Sequence, residues 1–146
     1  MRLLGTILLV TALGGCSVGS ARLTTTSVPP DFTLEVRDAT GEGALFIVEP
    51  DRWFRAATGA IPDGYFYPPA TRLLTPEQME SLWRAVEASG VLDAKPGIED
   101  VETAGSPVRV YVQVNHQRTV AAPDLTTDAG AAMLLEELRE LAWIRP

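Results

Sequence analysis

Cys16 is the only thiol in the chain, and it closes the stretch Leu13-Gly14-Gly15-Cys16. Sulfur is a good nucleophile as the thiolate, and two glycines beside it leave room for a processing enzyme. The other residues with chemical potential are more scattered. His116 is the only histidine. A triad needs a base beside a nucleophile, and no Ser or Thr is placed to suggest one. Glu49 and Asp51 are close enough in sequence to work as a carboxylate pair, but they flank a tight turn and are expected to point into water. Glu99-Asp100-Val101-Glu102 is acidic without a calcium-loop pattern, so it reads as a solvated charge run and not as a metal site. Gly41-Glu42-Gly43 lacks the further glycine, the lysine and the following helix of a phosphate loop. No cofactor motif is present.

The aromatic stretch Tyr65-Phe66-Tyr67 is the best binding candidate. Pro62, Pro68 and Pro69 stiffen it, and stiff aromatics present a recognition surface at low entropic cost. A packing role competes with this: Phe66 plugs an edge of the core and the tyrosines cover it. The packing role is preferred. Trp53 and Trp143 are likewise read as core caps.

The N-terminus carries the location signal. Met1-Arg2 supplies one positive charge and Leu3 to Leu13 is free of charge. A spanning helix needs about 20 apolar residues, so this run suits a cleaved export signal. Leu13, Gly15 and Cys16 resemble the lipobox of bacterial lipoproteins. The resemblance implies a diacylglycerol on the Cys16 sulfur and cleavage just before it. Residues 1–15 would then be a signal peptide, and Cys16 would hold the protein to a membrane. Ser17 in place of Asp implies passage to an outer membrane where the cell has one. Residues 16–30, rich in Ser, Thr and Pro, read as a tether. Its reach is about 20 Å on average and about 45 Å pulled straight.

Residues 31–146 suit a single domain. The chain has 146 residues, a net charge of −7 and 46% hydrophobic residues. An acidic balance with no basic patch argues against nucleic acid as a partner. With the one thiol lipidated, no disulfide within the chain is possible, so an ordinary core must hold the fold.

The elements that position these residues follow from periodicity. Phe32–Arg37 alternates, Ala44–Val48 is apolar throughout, and Trp53–Ala56 returns after a type I turn at Glu49-Pro50-Asp51-Arg52. Thr58 to Thr71 reads as a long loop. Thr75-Pro76-Glu77-Gln78 is a capping box opening a helix, with Met79, Leu82, Trp83 and Val86 as its buried stripe and Gly90 as its left-handed stop. Asp93 to Pro107 reads as an exposed loop. Val108–Val114 is a clean strand that turns at Asn115-His116 and returns as Gln117–Ala122. A loop that includes Gln117 sets Val112 opposite Val120 and Val110 opposite Ala122, keeping one face apolar. A last helix starts at Thr127 or Asp128 and buries Leu134, Leu135, Leu138, Leu141 and Ala142.

The order βββ-α-ββ-α predicts an α+β two-layer sandwich: an antiparallel sheet of about five strands with two helices on one face. Thr33, Glu35, Arg37, Arg109, Tyr111 and Gln113 would lie on the other face. Leu74-Thr75-Pro76-Glu77-Gln78 followed by Leu82-Trp83 also resembles short bacterial lipoproteins and exported proteins without an assigned activity. The leading expectation is a lipid-anchored, non-enzymatic module of the cell envelope that binds a protein or supports an assembly. An envelope enzyme, or an inhibitor of a periplasmic enzyme, are the competing readings.

Changing Cys16 to Ala is expected to abolish metabolic labelling by a clickable fatty acid. Labelling that persists in the variant would reject the lipobox reading.

Overall fold

Alternation along Thr33–Asp38 splits the molecule into two faces. Leu34 and Val36 are buried while Thr33, Glu35 and Arg37 are half-buried on the opposite side. In the computed structural model, which describes residues 27–60, 66–94 and 106–143, this strand, β1, pairs on both edges. Val36 lies opposite Phe46 of β2 (Ala44–Val48) and Val110 of β5 (Val108–Val114). Leu34 lies opposite Val48 and Val112. Fully burying a Val, Leu or Phe is worth about 1.5–3 kcal/mol, so a one-residue slip of β1 would expose several such side chains at once.

β3 (Trp53–Thr58), β4 (Ala70–Leu73) and β6 (Gln117–Ala121) complete the sheet. It is six-stranded, antiparallel and open, in the order β4-β3-β2-β1-β5-β6. Two helices, α1 (Pro76–Ala88) and α2 (Ala129–Leu141), pack against each other. Met79, Leu82, Trp83 and Val86 of α1 and Leu134, Leu135, Leu138 and Leu141 of α2 share one cluster with Leu34, Val36, Phe46, Phe54 and Val110. The expected α+β sandwich is therefore what forms.

Each helix is built as its sequence dictates. Thr75 and Gln78 make the reciprocal capping box, and Pro76 opens the helix. Met79, Leu82, Trp83 and Val86 face the core. Gly90 follows in the left-handed region at φ 72°, leading into a 3-10 turn at Val91–Asp93. Asp128 caps α2 by accepting from the Ala131 amide. Gly130 sets how close the helices come, since a Cβ there would sit 2.7 Å from the Ala88 carbonyl oxygen and 2.9 Å from the Ser89 Cα.

A buried carboxylate links the layers on the covered side. Asp38 ends β1 pointing inward and is 3% exposed. Its Oδ2 accepts from Arg139 Nη2 of α2 at 2.8 Å, and its Oδ1 accepts from the Thr40 amide and hydroxyl. A buried carboxylate with these partners fixes the end of β1 beneath α2.

The structure departs from the sequence reading in four places. The sheet has six strands, not about five, because β4 begins inside the stretch read as a loop and runs on to Leu73. β4 hides its alternation. Its inward residue is Arg72, which reaches over the Trp143 ring, and its outward Leu73 is exposed. It forms because Ala56 N–H donates to Thr71 Oγ1 and Leu74 N–H to the Arg52 carbonyl, alongside a bulge at Phe54/Arg55. Val28, within the expected tether, packs against the core. Trp53 and Trp143 are not core caps, being 38% and 67% exposed; β3 turns Trp53 to the open side, opposite Leu73.

The fourth difference is the β5–β6 hairpin. Val112 lies opposite Thr119 and Val110 opposite Ala121, so the loop is the two-residue one, Asn115-His116. Both residues hold positive φ, 52° and 61°, the backbone of a type I′ turn. Asp31 supplies the reason. Its two carboxylate oxygens accept the amides of Asn115 and His116 at 2.9 and 2.7 Å, which rewards the tight turn. These bonds, His116 first, hold the Asp31 carboxyl below its ordinary range. A lowered folded-state pKa stabilises the fold above the ordinary carboxylate range, and the effect is lost as pH falls through the folded value. Asp31→Ala is accordingly expected to lower Tm at neutral pH, with the gap to wild type closing in acid. A gap that stays constant with pH would overturn this account of the turn.

Candidate functional site

The face away from the helices is read directly from the register. One row across it runs Arg55, Ile47, Glu35, Tyr111 and Val120. A second sets Thr33 beside Gln113 and Arg118. A third sets Leu45 beside Arg37 and Arg109. Leu45 and Val120 are buried although they stand on this face. Between them and the start of β1 the surface opens into a groove of about 390 Å³. That size falls in the range of small-ligand clefts, roughly 300–1,000 Å³.

Charged and aromatic groups line it together. Arg37 Nε lies 2.7 Å from Glu35 Oε1. The Arg118 guanidinium lies 4.9 Å from the centroid of the Tyr111 ring. Phe66 and Tyr67 close one side, with Ile47 beneath. Tyr67 is held by Arg55, whose guanidinium lies 4.3 Å from its centroid. Arg55 in turn donates to Glu49 Oε2 at 3.2 Å and to the Pro68 carbonyl at 3.2 Å. Thus β3 anchors the aromatic segment, and the segment walls the groove.

Two other hollows are as large. One, between α1, α2 and β4, measures about 370 Å³ and is rimmed by Glu77, Glu137 and Glu140. The other, about 400 Å³, lies beside Gly90 and Asp128. Volume does not separate the three. Lining does, because the sheet-face groove alone joins aromatic rings, arginines and an apolar floor.

Sequence candidates fall variously around this site. Phe66 and Tyr67 line the groove; Phe66 is half-buried there and lies outside the core cluster, so it does not plug the core edge. Tyr65 and Cys16 lie outside the described residues, as does Glu99-Asp100-Val101-Glu102. His116 is an exposed turn residue whose imidazole is 92% exposed. Glu49 does not point into water, since Arg55 covers it and leaves its side chain 22% exposed. Among the described residues no group of three or more His, Cys, Asp or Glu could hold a metal ion. Among the described residues the carboxyls drawn below their ordinary range are Asp31, Glu77 and Asp124. The Glu77 amide and the Thr126 hydroxyl are the leading causes for the last two. None of the three lines the groove.

Arg118 and Arg55 are the residues that sequence reasoning missed. Arg118 was hidden by the hairpin register, since the longer loop would have placed it opposite Val114 on the covered side. The Asn115-His116 pair carried the corrective signal, because Asn favours the left-handed backbone of a tight turn.

No protein-family model, curated protein or solved structure matches this chain.

Arg55→Ala removes both ties to the aromatic segment, the Tyr67 ring contact and the Pro68 hydrogen bond, along with the pair to Glu49. The Phe66, Tyr67 and Ala70 amides are expected to exchange roughly tenfold faster, with β1 and β5 unchanged. Unaltered exchange at these amides would show that Arg55 does not hold the groove wall.

Proposed function

We propose that this protein is a lipid-anchored, non-enzymatic module of the cell envelope that binds a partner through the groove on its open sheet face. The anchor rests on the resemblance at Leu13 to Cys16. The binding role rests on one observation: arginines and tyrosines are already fixed around a groove of about 390 Å³. Arg118 over Tyr111 and Arg55 over Tyr67 lose little further freedom when a partner arrives, and such preorganisation favours binding. Glu35, the only carboxylate in the lining among the described residues, is engaged by Arg37 at 2.7 Å. That pairing suits a positioned recognition group better than a proton donor or acceptor, and it supports binding over catalysis.

Site-specific photocrosslinking in the envelope tests the reading. A photoreactive residue at Gln113, inside the groove, is expected to trap one discrete adduct. The same residue at Glu80, on the exposed side of α1, is expected to trap none. No adduct from Gln113, or equal adducts from both positions, would overturn the proposal.

A further inference from the structure

Among the described residues three arginines sit over aromatic rings, and comparing them separates scaffolding from recognition. Arg72 lies 4.1 Å from the Trp143 centroid and also donates to the Leu141 carbonyl. Arg55 lies over Tyr67 and is tied to Glu49 and Pro68 as well. Both therefore fasten one part of the fold to another. Arg118 differs: it is exposed, lies over Tyr111, and donates to no acceptor among the described residues. The ring restrains the guanidinium while its N–H groups remain open to a ligand.

Arg37 adds to this. Its Nε is taken by Glu35, but its two terminal nitrogens meet no acceptor among the described residues. Among the described residues the lining holds two arginines against one glutamate. This positive hollow sits on a chain of net charge −7. A guanidinium fork matches a carboxylate with two parallel hydrogen bonds. Ile47 and Phe66 offer an apolar surface in the same hollow. A stacked glycan is a poorer fit, because Arg118 and Arg55 each cover a face of the two tyrosine rings.

Resting on the reading of the groove as a binding surface, we infer that its occupant is an acidic peptide segment of a partner protein. A side-chain carboxylate of that segment pairs with Arg118, and a neighbouring apolar side chain lies against Ile47 and Phe66. Charge complementarity and the paired apolar floor carry this assignment.

Fluorescence anisotropy with the full-length protein in mild detergent tests it. The probe is an acetylated, amidated pentapeptide with a central Glu between Leu residues, carrying a neutral fluorophore. Its twin has Gln in place of Glu. The Glu peptide is expected to bind about tenfold tighter, the scale of a charge-assisted hydrogen bond. Arg118→Gln is expected to erase the preference, while Arg84→Gln on α1 keeps it. Circular dichroism of the exposed-site variant Arg118→Gln confirms that the fold is intact. Equal binding of the twins, no binding of either, or a preference that survives Arg118→Gln would overturn the inference. The Gln113 crosslink reports groove occupancy independently of ligand chemistry. No Glu preference in the wild-type protein with the crosslink intact rejects the acidic peptide alone; absence of both rejects the groove.

Discussion

Everything in this fold depends on β1 being paired along both edges. A strand at the centre of a sheet has no freedom of register, because each of its residues answers to two neighbours. Val36 must meet Phe46 on one side and Val110 on the other. That commitment decides which residues of β2 and β5 face inward, and through them which residues of β3 and β6. The helices then have one apolar surface to cover, and the matched stripes of α1 and α2 cover it. Asp38 ends the same strand and meets Arg139 beneath α2, so the layer contact is also pinned from β1.

The same alternation creates the open face. Glu35 and Arg37 are outward because Leu34 and Val36 are inward. Tyr111 and Gln113 are outward because Val110 and Val112 are inward. A polar face built this way costs the core nothing, and its side chains are spaced by strand geometry, about 4.7–4.9 Å from strand to strand. Arginines and tyrosines on adjacent strands then fall within reach of one another. Aromatic–arginine pairs at exposed sites contribute about 0.5–1 kcal/mol each, too little to drive folding but enough to restrain a side chain.

Much of this was legible in the sequence. Strict alternation in β1 and β5, the capping box at Thr75 and Gln78, and the leucine stripe of α2 each bury apolar area at a fixed period, and those signals survive without tertiary context. What was illegible depends on contacts distant in sequence. β4 is strung between prolines and shows no apolar alternation; its existence depends on β3 beside it and on Trp143 receiving Arg72. The β5–β6 turn was misread because keeping Val120 on the apolar face favoured the longer loop. Asp31, more than eighty positions upstream, overrides that preference. One slip in register carried Arg118 to the wrong face, so an error at a turn became an omission in the site. Phe66 and Tyr67 were singled out from the sequence with the packing role preferred, and nothing local reveals that Arg55 ties Tyr67 and Pro68 to β3.

Anchor and groove fit together on the proposed reading. A groove whose open cation is a single stacked arginine offers modest affinity, because one charge-assisted contact and a small apolar floor must first offset the cost of association. Lipid attachment changes that requirement. A protein held by a short tether meets other membrane-held proteins at an effective concentration far above its bulk value, which for short flexible links reaches about the millimolar range. Weak, selective recognition then suffices, and tight binding would only slow release. Such a face needs positioned groups more than buried area, and positioned groups are what β1 and its neighbours supply.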